Sequence, residues 1–342
     1  MKKTAFLGAL TVASIAASAA VAQDVSTVDQ IKERGKLNCG VTTGLVGFAA
    51  PDANGTWNGF DVGVCRAVAA AVLGDANAVE FVPTTGKTRF TALASGEIDM
   101  LARNTTWTFS RDVDLKFEFV GVNYYDGQGF MVSKDLGASS AKELDGATVC
   151  IQTGTTTELN LADFFRANDM SYEPVPIETN AEAQQQYLAG ACDVYTTDAS
   201  GLAATRATFE DPAGHVLLPE IISKEPLGPL VRHGDNNWGD VVRWTLNALV
   251  SAEELGVTSA NIGELGASAG DNPEINRLLG TEGNLGEMLG LDAEWAKRAI
   301  MAGGNYGELF AKNIGEDTPI ALARGLNAQW TEGGLLYSPP FR

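Results

Sequence analysis

The sequence predicts an α/β protein of two similar lobes, each a mainly parallel sheet with helices on both faces, joined by a two-strand hinge and followed by a helical C-terminal extension. Three observations carry this expectation. Short apolar runs alternate with segments of helical periodicity in both halves of the chain, the pattern of parallel sheets whose crossovers are helices. Two extended stretches, Gly127–Ser133 and Leu227–His233, separate the halves, with Pro226 and Pro229 at the second. A chain that leaves one lobe and returns in this way makes a hinge with a cleft beside it. Beyond Trp238 the periodicity turns helical, and the 342 residues suit about two domains of ~150 residues each.

In the first half, Lys36–Val41 reads as a buried strand running into a loop with Gly44 and Gly47. Asp61 is placed to cap a helix on which Val62, Cys65, Val68, Ala69 and Val72 recur at helical spacing, and Gly74 ends it. Strand Val79–Val82, helix Arg89–Ser95 and strand Ile98–Leu101 follow. The second half repeats the alternation: strand Ala147–Ile151, helix Thr155–Ala167, strand Tyr172–Ile177, helix Ala181–Ala189, strand Asp193–Thr196 and helix Ala199–Thr208. The last part holds helical patterns over Val241–Leu255, Ala293–Met301, Asn305–Asn313 and Ile320–Trp330, with glycine-rich chain at 263–290 and a surface tail at Pro339 and Pro340. The expected division is residues 1–22 as a signal peptide, 23–130 as the first part of lobe 1, 131–228 as lobe 2, 229–255 as the return to lobe 1, and 256–342 as a helical extension packed on lobe 1.

The leader rests on Lys2 and Lys3, an apolar Ala-rich stretch to Ala20, and the small-x-small Ala20-Val21-Ala22, which together read as an export signal cleaved after Ala22. A transmembrane anchor is the alternative, but the apolar stretch is short and rich in small residues. Gln23 rather than Cys follows the cut, so no lipid anchor on a new N-terminal Cys is expected. The expected compartment is the bacterial periplasm. An oxidising compartment and four cysteines favour disulfides. Three pairings are open; one bridge per half, Cys39–Cys65 and Cys150–Cys192, is the expectation, with buried free thiols as the alternative. The scattered cysteines, with only His215 and His233 beside them, do not form a metal pattern, and neither metal nor cofactor is expected.

A net charge of −19 argues against nucleic acid, which needs a basic face, and against docking on an anionic membrane. Catalytic and nucleotide motifs fail on inspection. Gly86-Lys87-Thr88 resembles the end of a phosphate loop, yet Phe81 stands where the first glycine belongs. Gly127-Gln128-Gly129 is followed by Val132 where a dinucleotide fingerprint needs glycine. No nucleophile-elbow pattern is present, and nothing demands catalysis.

The informative segments follow predicted strand ends, where open α/β sheets bind ligands. After Leu101 comes Arg103-Asn104-Thr105-Thr106 and, further on, Arg111. The planar fork of Arg111 matches a carboxylate, and the stretch before it is rich in hydroxyls. In the second half, Gln152-Thr153-Gly154-Thr155-Thr156-Thr157-Glu158 joins strand to helix. Thr155 and Glu158 form a capping box, which taken alone reads as a capped helix, although the free amides of a helix start also favour an anion. Asp198, at the end of a strand, is placed to cap the next helix or to hold an ammonium group. Together these segments describe a site for a zwitterion, with Arg111 on the carboxylate, Asp198 on the ammonium and Gly154–Thr157 closing from the other lobe.

With these residues in place, the chain resembles the periplasmic substrate-binding proteins of polar amino-acid ABC transporters over roughly Lys36–Trp244. The stretch Gly59-Phe-Asp-Val-Gly-Val-Cys-Arg-Ala67 is similar to that family's signature, except that Gly63 stands where an acid is usual, read here as a surface change. Cys39-Gly-Val, Arg103-Asn-Thr-Thr-Trp107, Gly154-Thr-Thr-Thr-Glu158, Tyr195-Thr-Thr-Asp198 and the Gly334-Leu-Leu-Tyr-Ser-Pro-Pro tail resemble the longer general L-amino-acid and glutamate/glutamine/aspartate/asparagine binders. The resemblance implies a type II periplasmic-binding-protein fold. It also implies Arg111 with Thr106 on the ligand carboxylate, Asn104 and Asp198 on the ammonium, and Gln152 with Thr155, Thr156 and Thr157 as the second-lobe clamp. Leu45 falls where many shorter members stack an aromatic ring, and Arg103 occupies a place that is often Ser in basic-amino-acid binders. Arg103 is therefore expected to meet the ligand side chain and to favour Glu, Asp or their amides over Lys and Arg. The implied partners are an L-amino acid and a membrane permease with its ATPase, met by a monomer; no enzyme activity is expected. The other functions weighed are a cyclohexadienyl-dehydratase-like enzyme and an amino-acid sensor on the same fold.

Overall fold

The computed structural model describes residues 26–267 and 272–342, so the leader expected at 1–22, with its cleavage after Ala22, lies outside the described residues. In the first part the order is α1 (Thr27–Arg34), β1 (Leu37–Thr42), β2 (Ala50–Pro51), β3 (Trp57–Asn58), α2 (Phe60–Leu73), β4 (Val79–Thr84), α3 (Arg89–Ser95), β5 (Met100–Leu101) and β6 (Phe117–Phe119). Then come β7 (Tyr124–Asp126), β8 (Gln128–Ser133), β9 (Ala147–Gln152), α4 (Thr156–Ala167), β10 (Tyr172–Ile177), α5 (Asn180–Leu188), β11 (Val194–Asp198), α6 (Ala199–Arg206), β12 (His215–Leu217), β13 (Glu225–Leu227) and β14 (Leu230–Arg232). The rest is helical: α7 (Asn236–Glu254), α8 (Ile262–Ala267), α9 (Pro273–Leu278), α10 (Leu285–Met288), α11 (Trp295–Gly303) and α12 (Tyr306–Asn313).

These elements build two five-stranded sheets of one design. The first runs β4-β1-β5-β14-β6 and the second β10-β9-β11-β8-β12. In each, the first three strands are parallel and the other two are joined antiparallel. Side chains alternate across the second sheet with the two-residue period of a strand. Along β9, Val149 and Ile151 enter one apolar cluster with Phe130, Leu161 and Phe165. Cys150 enters another with Tyr187, Tyr195 and Leu202. Each lobe carries one disulfide: Cys39–Cys65 ties β1 to α2 and Cys150–Cys192 ties β9 to the turn before β11, with Cα separations of 6.2 and 5.6 Å.

The crossings lie slightly away from where the sequence places them. β7 and β13 form a separate antiparallel pair in which Asp126 faces Glu225 and Tyr124 faces Leu227. The stretch Gly127–Ser133 is mostly β8, a strand of the second sheet, and Leu227–His233 is mostly β14, a strand of the first. Extended chain in a hinge and in a sheet have the same local pattern, so sequence cannot separate them.

Four other expectations change. Asp61 does not cap α2; Gly59 precedes the helix and Asp61 is buried in its first turn, accepting a hydrogen bond from Asn123 Nδ2 at 3.2 Å. Gly63 is no surface position: it is buried, and a Cβ there would stand 2.5 Å from Leu309 Cδ2 of α12. The extension lies directly on this helix, and an acid at 63 would collide with it. The segment Ile320–Trp330 is not helical; Ala321 and Gly325 have positive φ, and only short 3₁₀ turns form at Gly325–Asn327 and Trp330–Glu332. Isolated backbone bridges pin the segment instead, Leu322 to Gly315 and Gln329 to Leu336. The glycine-rich chain, where described, contains α8, α9 and α10 rather than pure loop.

The extension also reaches the hinge. Asn327 donates from Nδ2 to the carbonyl of Tyr125 at 3.1 Å and accepts from its N–H at 2.7 Å, while the Tyr306 hydroxyl donates to the carbonyl of Asn123 at 2.8 Å. No helix among the described residues is long and apolar enough to cross a membrane.

Candidate functional site

A narrow cleft lies where the two sheets present their strand ends. Lobe 1 supplies Thr42 and Leu45 after β1, Arg89 at the start of α3, and Arg103, Asn104 and Thr106 after β5. Lobe 2 supplies Gln152 at the end of β9, Thr155, Thr156 and Thr157 at the start of α4, Asn180, and Thr197, Asp198 and Gly201 at the β11–α6 junction. Thus Arg103, Asn104, Thr106, Gln152, Thr155, Thr156, Thr157 and Asp198 come together. Arg111 stands behind Thr106, donating from Nη1 to its carbonyl at 2.8 Å while its guanidinium lies 5.1 Å from the centre of the Phe90 ring.

Local sequence explains the placement. Thr155 caps α4 by accepting from the Glu158 N–H at 3.3 Å; Glu158 reaches back one residue beyond the expected box, to the Gly154 N–H at 3.0 Å. Gly154 makes the turn with φ of +74°. Asp198 occupies the N-cap position of α6 but makes no capping bond, so its carboxyl faces the cavity. Asn104 takes φ of +41°, a left-handed conformation that Asn tolerates better than most residues and that turns the chain out of β5. Arg103 uses only Nε on a protein acceptor, the Thr84 carbonyl at 3.1 Å, and Arg111 only Nη1. Both keep donors for a planar anion.

Burial makes this an electrostatically unfinished site. It lowers Arg103 and Arg111 to about 10 and Arg89 well below its ordinary value, with the neighbouring arginines adding to the effect on Arg89 and Arg103. Burial raises Asp198 well above the usual carboxylate range, and Asp126 and Glu225 push the same way. Asp126 is raised to about 6, again by burial. Burial disfavours the charged forms of Arg103, Arg111 and Asp198, and a ligand of opposite charge would offset that cost.

Several functional residues escaped the sequence reading. Arg89 was legible only as the start of a helix, although it follows a strand end like the other site residues. Asn180 crosses the cleft, donating to Thr42 Oγ1 and the Gly44 carbonyl, both at 3.2 Å. Glu225, 1% exposed, is the knot of the hinge. It accepts from the Thr106 hydroxyl of lobe 1 and, in lobe 2, from Thr156 at 2.9 Å and Asn160 at 2.6 Å. An acid beside Pro226, at the start of the return crossing, was the available signal.

Residues 37–261 match the family described as bacterial extracellular solute-binding proteins, family 3. The chain belongs to this family. Among its members, a glutamate/glutamine/aspartate/asparagine-binding protein of Rhodobacter capsulatus is 67% identical over 342 residues, all of both chains. A general L-amino acid-binding periplasmic protein of Rhizobium johnstonii is 54% identical over 99% of this chain and 100% of its own. A periplasmic binding protein from Brucella ovis, solved with glutathione bound, superposes with a TM-score of 0.90 at 55% identity, covering 93% of this chain and 99% of the other. The family assignment covers both lobes, and the full-length relatives carry the extension as well.

Proposed function

We propose that this protein is the periplasmic solute-binding component of an amino-acid ABC importer, and that a polar L-amino acid binds between its lobes. The observation that carries this is the meeting of buried Arg103 from lobe 1 and half-buried Asp198 from lobe 2 in one cleft beside the free start of α4. In this reading Arg111 and Thr106 take the α-carboxylate together with the α4 start and Gln152. Asp198 and Asn104 take the ammonium, and Arg103 with Arg89 faces the ligand side chain. Two cationic groups at the side-chain end favour Glu, Asp and their amides and repel Lys and Arg. The names of the solute-binding relatives point the same way, and the glutathione-bound neighbour adds γ-glutamyl compounds to the ligands worth testing.

The β7–β13 pair is the hinge about which the lobes close, and the ligand drives closure by touching both. The closed form is what the permease, with its ATPase, recognises. The chain is read as a binder rather than an enzyme: the relatives are binding proteins, and neither His215 nor His233 lines the cavity. Export with cleavage after Ala22 and a monomeric mature protein complete the proposal. Melting the mature protein against each common L-amino acid tests it. Glu, Gln, Asp and Asn should raise Tm in a concentration-dependent way; a panel in which none does so removes the proposal.

A further inference from the structure

The rim of the cleft holds a direct contact between the two lobe backbones, beside the site residues Arg89 and Thr155. Gly86, in the turn between β4 and α3 of lobe 1, is buried against the Thr153–Thr155 turn of lobe 2. A Cβ on Gly86 would stand 2.6 Å from the Thr153 carbonyl oxygen, 3.2 Å from Thr155 Cγ2 and 3.5 Å from the Gly154 carbonyl oxygen. All three nearest atoms belong to the other lobe. The contact is reciprocal: a Cβ on Gly154 would meet the carbonyl carbon and oxygen of Gly86 at 3.2 Å. Two polar contacts flank it, Lys87 Nζ to Glu178 Oε1 at 2.7 Å and Arg89 Nη2 to the Gly154 carbonyl at 3.4 Å.

The two glycines have different reasons to be glycine. Gly154 needs its positive φ for the turn into α4. Gly86 has no such φ, so its own backbone accepts a side chain. What excludes a side chain there is the approach of lobe 2, and backbone is the least yielding of neighbours.

We infer that Gly86 and Gly154 form a closure latch, in which the absent Cβ at 86 lets the two lobe backbones meet, and that Gly86 is thereby a positioning residue for ligand retention. The inference rests on the hinge-closure reading above. A methyl group at 86 would stop the lobes short, leaving the lobe 1 contacts in place and holding Thr155–Thr157 away from the ligand. Overpacking of this kind should raise Kd by about tenfold or more, mainly through faster release, because dissociation is where a failure to close is felt.

The test compares wild type with Gly86→Ala in ligand-free melting, stopped-flow release of L-glutamate, and small-angle scattering with and without L-glutamate. The latch predicts an unchanged ligand-free Tm, release at least about tenfold faster, and loss of the ligand-induced compaction. Equal release and equal compaction in the two proteins overturn it. A ligand-free Tm several degrees lower also overturns it, since the methyl would then clash within lobe 1. If wild type neither binds nor compacts with Glu, Gln, Asp or Asn, it is the amino-acid reading that fails, and that result is distinct from both others.

Discussion

The two lobes share a sheet design and one disulfide each, yet they bring opposite things to the cleft. Lobe 1 contributes cations on side chains, Arg89 and Arg103 with Arg111 behind them. Lobe 2 contributes one acid, Asp198, and a row of hydroxyls and backbone groups at the start of α4. Guanidinium groups read charge and plane and keep most of their strength when water is excluded. Hydroxyls and helix-start amides are weaker individually but are placed by the backbone, so they align only when the lobe arrives. The difference teaches a division of labour in which lobe 1 selects the ligand and lobe 2 seals it. Buried Glu225 lies between, accepting from Thr106 on one side and Thr156 on the other.

The likeness of the lobes can be broken first at the disulfides. Replacing Cys39 and Cys65, or Cys150 and Cys192, by serine pairs should cost about 3–4 kcal/mol in either lobe. Chemical denaturation would show comparable losses if the lobes are stapled alike, and a loss confined to one pair would show that they are not. The asymmetry of the site is sharpened next by Arg103→Ala, which strands a ligand carboxylate in a dry cleft and should weaken L-glutamate by roughly 3 kcal/mol, above a hundredfold in Kd. Calorimetry showing wild-type affinity would remove Arg103 from the site.

A pH comparison follows, confined to lobe 1. Asp61 is raised to about 7 by burial, only partly opposed by the hydrogen bond from Asn123, and its Oδ2 finds no partner. The folded chain therefore holds a proton that the unfolded chain releases, so this residue's contribution to stability falls as pH rises from about 4 to about 7 and is level above. Asp61→Asn should flatten the pH profile of unfolding free energy, measured by denaturant titration, across that window by an amount on the order of a few kcal/mol, and an unchanged slope would show that Asp61 does not carry it. The smallest effect expected is at the seal: Thr156→Val removes one hydroxyl from the α4 start and should weaken binding by about 1 kcal/mol, visible mainly as faster release.

Much of this was legible in the sequence because both lobes obey simple periodicities. The strands around Cys39 and Cys150 and the α4 start at Thr155 were readable locally, and so was the placing of Arg103 just after a strand and of Asp198 at the end of one. What was not legible depends on tertiary contact. Gly63 looked like a surface residue because nothing local announces that Leu309 will lie on it. The 320–330 segment has helical spacing, but docking on the lobe and hinge overrides that spacing. Arg89 and Glu225 join the site only through the sheet order and the hinge, which no local window contains.

The central claim is that the cleft reads a zwitterion, with the lobe 1 arginines on its carboxylates and Asp198 of lobe 2 on its ammonium, and the most direct measurement removes the ammonium from the ligand and its reader from the protein. Calorimetric titration of wild type and Asp198→Asn with L-glutamate and with glutarate, which lacks the ammonium, gives a complete double cycle. Wild type should bind glutamate at least about a hundredfold more tightly than glutarate, and Asp198→Asn should close most of that gap by losing glutamate while leaving glutarate little changed. An undiminished preference for glutamate in Asp198→Asn would contradict the account.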